Sequence, residues 1–323
     1  MIAVMVGNST TTHNELVPVL LAILPYIFGV IEVFGIFGNA LTIFVLYGRE
    51  RRFKTNYYFL VFHLAVCDLV LLTIQAVTNI TASIMAYNHI SSSQLHFLLG
   101  VLFLFAGYFA NCEAYLLTSI AILRYRAVVY PFRTPFSRTK MNFVVLAAYG
   151  TPIVVLTPLA YFASQGEVVS LIGTKHSLTL FIYECVAFFF YLLAPMVLLG
   201  FLYSAMCIAL FRHRQLIAQT RSRHDDVVTA RFANAKQARN RKLVLSSVVV
   251  VTLFAVGLFP YLLLQLVSNG GIEVNPLHIY WSGLLYMLCT CAINPLVYGF
   301  TDKTLCTAYK QSIRKLFNFN RHE

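Results

Sequence analysis

Long apolar stretches and short polar links alternate along the whole chain, and this pattern predicts the fold. Seven apolar stretches occupy roughly residues 18–47, 57–86, 97–123, 141–163, 178–211, 243–268 and 277–300. A helix of about 20 residues crosses a hydrocarbon core of ~30 Å, and each stretch is long enough to do so. A helix also satisfies its own backbone hydrogen bonds where water is absent. The sequence therefore predicts an all-α membrane protein, a bundle of seven transmembrane helices.

Positive charge is confined almost entirely to every second link. All 24 Lys and Arg residues except Lys175 lie within 49–54, 124–140, 212–242 and 303–321. Basic links face the cytoplasm, and an odd number of spans places the two termini on opposite sides. We therefore predict a multi-pass plasma-membrane protein with its N-terminus outside and its C-terminus inside.

The same pattern divides the chain into three parts. We predict an extracellular tail over residues 1–17, a seven-transmembrane domain over 18–300, and an amphipathic helix with a short cytoplasmic tail over 301–323. In the last part, apolar and basic residues alternate at a spacing that suits a helix lying on the membrane. Asn8 begins the sequon Asn8-Ser9-Thr10, so we predict glycosylation there.

Composition excludes an ordinary soluble domain, because 59% of the residues are hydrophobic and only 11% are charged. The net charge of +12 belongs to loops that face anionic lipid and cytosolic partners, so we predict no binding to nucleic acid. Two interpretations of this charge stay open. It either sets the membrane topology alone or also binds a partner.

Polar groups inside the predicted spans carry the functional argument. A charged side chain at the bilayer centre costs ~2.5–3.5 kcal/mol or more, so Asp68, Glu113 and Arg124 are expected to face the bundle interior. The segment from Asn294-Pro295 to Tyr298 places a helix-breaking proline between two polar side chains. Such breaks act as hinges and leave carbonyls free for water or side chains. Buried charge among proline-broken helices is typical of a conformational switch.

Six short motifs occur in the order and spacing of one receptor family. They are Gly38-Asn39 with Val45, Leu64-Ala65-Val66-Cys67-Asp68, Ser119 to Tyr125 with Pro131, Pro195 with Tyr203, Phe254 with Pro260, and Asn294-Pro295 with Tyr298 and Phe300. In these motifs the chain resembles the rhodopsin-like (class A) G-protein-coupled receptors over all seven spans. The resemblance implies that an extracellular ligand is sensed and that nucleotide exchange is promoted on a heterotrimeric G protein inside.

The resemblance also implies roles for single residues. The coupling and switch set is Arg124, Tyr125, Tyr203, Phe254, Pro260, Asn294, Pro295 and Tyr298. In the family, the arginine contacts the G-protein tail, and the tyrosines matching Tyr203 and Tyr298 swing toward it on activation. Pro260 would be the pivot of the sixth helix.

The chain also departs from the family around Arg124. Leu123 stands where the family has an acidic residue, and Asn240 stands where some members carry a second acid. Both usual inactive-state partners of the arginine are therefore missing. We expect an unpaired guanidinium and signalling without ligand.

Three further departures concern tryptophan and cysteine. The sixth-helix motif reads Gly257-Leu258-Phe259-Pro260, without its tryptophan. Ala148 and Tyr149 occupy the region of the fourth-helix tryptophan, and Leu99 stands where most members have a disulfide cysteine. These differences concern activation and ligand class rather than the fold.

A polar cavity is expected in the middle of the bundle. The resemblance implies a sodium ion held near Asp68, with Asn39, Thr290, Cys291 and Asn294 around it, and Glu113 stands where family members usually have a serine. Two carboxylates in one dry cavity cannot both ionise cheaply. The alternatives are a sodium ion that neutralises the pair, a proton that bridges it, or a Glu113 that bonds to another helix. No cofactor is expected beyond this ion.

The ligand is constrained only in part. Ala106 stands where receptors for amines carry an aspartate, so amine recognition by that route is not expected. Other candidates for an upper pocket are Gln75, Asn79, Glu184, Tyr261, Gln265, Tyr280 and Trp281. Glu184 can pair with a cation or face the headgroups. These few polar groups in an apolar wall suit a peptide end or a small molecule.

Two other function classes are alternatives to a receptor. A transporter or channel predicts inverted repeats or a file of ionisable residues, and the sequence has neither. An enzyme would need clustered His and carboxylates at metal spacing, and the His residues are scattered. We predict a non-enzymatic receptor. Its tail has few hydroxyl residues after Phe300, so we expect a weak arrestin interaction.

Overall fold

The fold is an all-helical bundle. The computed structural model describes residues 16–47, 54–90, 92–130, 132–164, 188–221, 248–264 and 274–319, together with 182, 185–186, 266–268 and 272. The helices are α1 (Leu16–Tyr47), α2 (Asn56–Tyr87), α3 (Ser93–Val129), α4 (Arg138–Ser164), α5 (Ala194–Arg221), α6 (Val248–Ser268), α7 (Pro276–Met287 continued by Asn294–Thr301) and α8 (Lys303–Phe319). Seven of them, α1 to α7, are long and apolar enough to cross a membrane. The predicted fold class is confirmed.

Two π-helical turns end two or three residues before a proline. Residues Phe189–Leu193 form one such turn ahead of Pro195, and Leu288–Ala292 form the other ahead of Pro295. A proline ring clashes with the carbonyl four residues earlier, and in both cases that carbonyl belongs to the π turn. The wider π turn accommodates the ring without ending the helix. The predicted break in the seventh span therefore takes the form of a π turn.

Small residues bring α1 close to α2 and α7. A Cβ atom at Gly35 would lie 2.6 Å from Leu72 and 3.1 Å from Ala292, and one at Gly38 would lie 3.0 Å from Pro295. A methyl group at either position would force the Leu72 side chain to move or its other neighbours to give way by a few tenths of an ångström. Close backbone approach through small residues is a common basis of helix packing in membranes. The glycine of the first-helix motif thus seats α1 on the proline of α7.

The short helix α8 and its capping residue contact the C-terminal end of α1 and the N-terminal end of α2. Asp302 caps its first turn by accepting hydrogen bonds from the amides of Thr304 and Leu305, and it also accepts the hydroxyl of Tyr58 at 2.8 Å. The hydroxyls of Tyr309 and Thr42 lie 2.8 Å apart. Burial raises the pKa of Tyr309 to about 12, so this hydroxyl keeps its proton at physiological pH.

Candidate functional site

The inner end of α3 corrects one expectation from the sequence. The Arg124 guanidinium donates a 2.7 Å hydrogen bond to the hydroxyl of Tyr57 on α2, and its central carbon lies 4.6 Å from the centre of the Tyr57 ring. The prediction of an unpaired guanidinium is wrong. The aromatic ring and hydroxyl of Tyr57 serve as the partner of Arg124 in place of an acidic residue.

Three of the predicted switch residues share one small cavity. Arg124, Tyr203 and Tyr298 line it, together with apolar residues of α3 and α6, and its volume is about 10 Å³. That is room for about one water molecule. Both tyrosines are buried. The structure thus brings residues of α3, α5 and α7 together at the end of the bundle where basic residues gather.

The other switch residues lie around this cavity. Phe254 of α6 is among the most deeply buried side chains, and Pro260 is half-buried. Tyr125 is half-buried on α3, with its ring centre 5.9 Å from that of Tyr130. Pro295 is buried at the start of the last segment of α7.

Gly257, the single glycine of α6, lies against the backbone of α7. A Cβ atom at this position would lie 3.0 Å from Cys289 Cβ, 3.1 Å from Tyr286 Cα and 3.2 Å from the Leu285 carbonyl oxygen. The last two belong to backbone and cannot move cheaply. The sequence showed Gly257 only as a departure from a family motif, and its packing role became visible in three dimensions.

We expect Gly257→Ala to lower the thermal stability of the purified protein, because α6 must move away from α7. The cost of such overpacking is about 1–3 kcal/mol. Gly150→Ala is the matched control, because a Cβ atom at Gly150 on α4 meets nothing within 4 Å. Alanine in an open helical position is stabilising by up to about 1 kcal/mol. A melting temperature that rises equally in both variants would contradict the close packing.

A buried polar cluster occupies the middle of the bundle. Ligand atoms of Asp68, Glu113 and Cys291 lie within 4.8 Å of one another, and all three residues are buried. The amide of Asn294 donates to Asp68 Oδ2 at 2.9 Å. The thiol of Cys291 points to Glu113 Oε2 at 3.7 Å. Three helices thus contribute to one cluster, in which Glu113 lies beside Asp68 and also accepts a hydrogen bond from α7.

Asn39 and Thr290 hold the π turn around this cluster. Asn39 donates to the Gly35 carbonyl at 3.0 Å and to the Cys291 carbonyl at 3.1 Å. The Cys291 carbonyl is four residues before Pro295, so the proline cannot donate to it and the Asn39 amide does so instead. Thr290 donates to the Tyr286 carbonyl at 2.9 Å and lies 3.2 Å from the Cys291 sulfur. The sequence already placed Asn39, Thr290 and Cys291 near this one site.

The donor set of the cluster fits a small hard cation. Asp68 Oδ1, Glu113 Oε1 and Asn294 Oδ1 are buried and have no hydrogen-bond partner among the described residues. Buried polar atoms seldom lack a partner, so each one calls for an explanation. Carboxylate and amide oxygens are the ligands that hard cations prefer. Either such a cation or a shared proton would satisfy these oxygens.

A third buried carboxylate, Glu32 on α1, was missed by the sequence reasoning. It is 3% exposed, and its Oε1 accepts a hydrogen bond from the Asn79 amide of α2. A lone acidic residue inside the first apolar span was the signal that could have found it. Asn79 is thus bonded to Glu32 in the outer half of the bundle.

The remaining pocket candidates lie in varied surroundings. Ala106 is buried, Gln75 is half-buried and Trp281 is 41% exposed. Tyr261 of α6 stacks on Tyr286 of α7, with ring centres 5.6 Å apart. Asn8, Glu184, Gln265 and the side chain of Tyr280 lie outside the described part of the chain.

Comparison with known proteins decides the family. Residues 38–298 match the family described as "7 transmembrane receptor (rhodopsin family)". The chain belongs to this family. As a rhodopsin-family receptor it senses a ligand and couples to G proteins, and the transporter or channel alternative is not favoured. The family is one of receptors and not of enzymes.

Relatives and solved structures agree with this assignment. This receptor is 22% identical to the mouse substance-P receptor over 299 residues, which are 88% of this chain and 69% of the relative. It is 22% identical to rat neuropeptide FF receptor 2 over 86% of this chain and 69% of the relative. It is 33% identical to the Caenorhabditis elegans galanin-like G-protein coupled receptor npr-9 over 130 residues, 39% of this chain and 28% of that protein. Squid rhodopsin superposes with a TM-score of 0.74 at 15% identity, over 91% and 85% of the two chains.

Proposed function

We propose that this receptor senses an extracellular peptide at the plasma membrane, with its N-terminus outside. Three relatives of different kinds are named for peptides: substance P, neuropeptide FF and galanin. The outer half of the bundle adds a buried carboxylate, Glu32, bonded to Asn79. A carboxylate in this place suits the cationic end or basic side chain of a peptide. Gln75, Ala106, Tyr261, Tyr280, Trp281, Glu184 and Gln265 remain the other candidates for pocket residues.

The receptor activates a heterotrimeric G protein, and we assign the coupling to the end of the bundle around Arg124. The observation that carries this assignment is the cavity shared by Arg124, Tyr203 and Tyr298 at the basic end of the bundle. In the resting receptor, Tyr57 holds the guanidinium. Outward movement of α6 about Pro260 would open this cavity to the G-protein tail.

We further propose that a sodium ion or a proton in the central cluster stabilises the resting state. Asp68, Glu113, Asn294 and Thr290 would hold it, and Asn39 would keep the π turn in place. A cation there neutralises the two carboxylates, while the chain's own residues orient the oxygens and exclude solvent. Because Asn294 and Pro295 begin the last segment of α7, the occupancy of the cluster would be linked to the position of Tyr298.

We expect nucleotide exchange on purified G proteins to identify the ligand. The receptor in lipid nanodiscs is mixed with each G-protein class and a panel of synthetic neuropeptides, and binding of a labelled GTP analogue is recorded. At least one peptide should accelerate exchange tenfold or more, and Arg124→Ala should abolish the acceleration without abolishing peptide binding. A peptide that accelerates exchange equally through Arg124→Ala would contradict the assigned coupling site.

Two proposals concern the termini. We retain Asn8 as the glycosylation site of the N-terminal tail. We also retain a weak arrestin interaction, because the tail hydroxyls are engaged within helices. Thr301 donates to the Val297 carbonyl at 2.6 Å and Thr307 to the Lys303 carbonyl at 2.8 Å. A phosphate at these positions would compete with the docking of α8.

A further inference from the structure

A groove runs along the outside of the bundle between α3 and α4. Its volume is about 290 Å³, which is near the lower end for small-ligand pockets, about 300 Å³. It lies toward the basic end of both helices, away from the proposed ligand pocket. Its wall is formed by Tyr115, Thr118, Ser119, Ile122, Leu123, Phe136, Met141, Val144, Ala147, Ala148 and Thr151.

Two departures from the family line this groove. Leu123 stands where the family has an acidic residue, so an aliphatic side chain faces the groove in place of a carboxylate. Ala148 stands in the region of the missing fourth-helix tryptophan, and Ala147 and Thr151 beside it are also small. Small residues on α4 open the groove, and the leucine on α3 makes its inner part apolar. The missing acidic residue of α3 and the missing tryptophan of α4 therefore affect the same surface.

The Thr and Ser hydroxyls in the wall already have hydrogen-bond partners and need no polar ligand. Thr118, Ser119 and Thr151 each donate a 2.8 Å hydrogen bond to the carbonyl four residues earlier in their own helix. Their donors are therefore already used within the helix. An apolar chain can fill the groove without leaving these three donors unsatisfied.

One end of the groove is basic. Lys140 precedes Val144, Ala147 and Thr151 by four, seven and eleven residues, so it lies on the face of α4 that lines the groove. The guanidinium carbon of Arg126 lies 3.8 Å from the ring centre of Phe136, which also lines the groove. Between residues 114 and 166 the sequence contains no Asp or Glu. An anionic group at this end therefore meets cations without a competing carboxylate from this part of the chain.

We propose that the groove binds one acyl chain of an anionic phospholipid, whose phosphate rests on Lys140 and Arg126. The groove faces outward from the bundle, so a lipid can enter it from the bilayer. Its basic end coincides with the end of the bundle that carries the other positive links, where the membrane leaflet is rich in anionic lipid. The site is separate from both the Arg124 cavity and the central cluster, and it links the inner ends of α3 and α4.

The test measures lipid retention by native mass spectrometry. Full-length receptor is purified from nanodiscs that contain equal amounts of phosphatidylserine and phosphatidylcholine with the same acyl chains. We expect the parent to retain phosphatidylserine preferentially. Lys140→Gln should reduce this preference about fivefold, and Ala147→Phe should remove the retained lipid by filling the groove.

Matched variants separate the groove from general effects. Val154→Phe adds the same ring on an exposed position of α4 that does not line the groove, and Lys310→Gln removes an exposed cation on α8. Both should behave as the parent does. Equal retention of the two lipids by the parent, or an undiminished preference in Lys140→Gln, would overturn the proposal. If Ala147→Phe fails to fold, the change in phosphatidylserine preference of the exposed Lys140→Gln variant tests the proposal alone.

Discussion

Tyr57→Ala should raise nucleotide exchange without ligand by tenfold or more. The substitution removes a hydrogen bond to a charged group, about 1.5–3 kcal/mol, and a cation–π contact of about 0.5–2 kcal/mol. Each 1.4 kcal/mol shifts the equilibrium between the resting and the active receptor tenfold. If the contacts exist only in the resting state, losing part of this energy is enough for the expected rise in exchange. Tyr57→Phe keeps the ring and loses only the 2.7 Å hydrogen bond to Arg124, so its effect should be smaller.

The measurement is G-protein nucleotide exchange at matched receptor levels. Tyr47→Ala is the control, because Tyr47 is a tyrosine at the inner end of α1 that is 81% exposed. Leu123→Asp in the Tyr57→Ala background should lower the activity again by offering Arg124 the acid that the family uses. Equal exchange by the parent, Tyr57→Phe and Tyr57→Ala would show that Tyr57 does not restrain the receptor. The low parental activity expected here replaces the expectation of measurable signalling without ligand, which assumed an unpaired arginine.

Glu113→Ser should raise, by at least tenfold, the sodium concentration that half-maximally reduces nucleotide exchange without ligand. Two ionised carboxylates with oxygens within 4.8 Å repel by roughly 3–4 kcal/mol at an effective dielectric constant of 20. The parent needs a cation or a proton to offset this repulsion, and the serine variant does not. In the parent, raising sodium or lowering pH should reduce exchange without ligand. In Glu113→Ser, the pH dependence should disappear and the half-maximal sodium concentration should rise.

Two variants make this result specific to the pair of carboxylates. Glu113→Gln removes the charge and keeps the size, so it should behave as Glu113→Ser does. Glu32→Gln removes another buried carboxylate, which lies outside the central cluster and bonds to Asn79. It should leave the sodium and pH responses of unliganded exchange unchanged. If neither ion affects the parent, or Glu113→Ser responds to both as the parent does, the two carboxylates do not act as a coupled site.

The central cluster shows how far the sequence could lead. Asp68, Glu113 and Asn294 were predicted to share one cavity, because each falls at a known offset from a family motif. The structure brings these three residues together with the thiol of Cys291. Cys291 precedes Asn294 by three residues, so helical periodicity already places both on one face of α7. Only the structure shows which carboxylate the thiol approaches, Glu113 Oε2 at 3.7 Å.

The sequence by itself determined the number of the spans, the links in which positive charge gathers and the two prolines that follow π turns. Span number follows from the bilayer thickness, the basic links follow from the positive-inside rule, and the π turns follow from the missing amide hydrogen of proline. None of these causes depends on which helices are neighbours.

Only the tertiary structure decided which polar groups meet. Arg124 bonds to Tyr57, which is 67 positions away, and Asn79 bonds to Glu32, 47 positions away. A membrane helix is apolar almost all round, so its sequence does not define the face that turns toward its neighbours. The choice of partner depends on rotation and crossing of the helices. Close contacts at Gly35, Gly38 and Gly257 fix these, together with the two π turns.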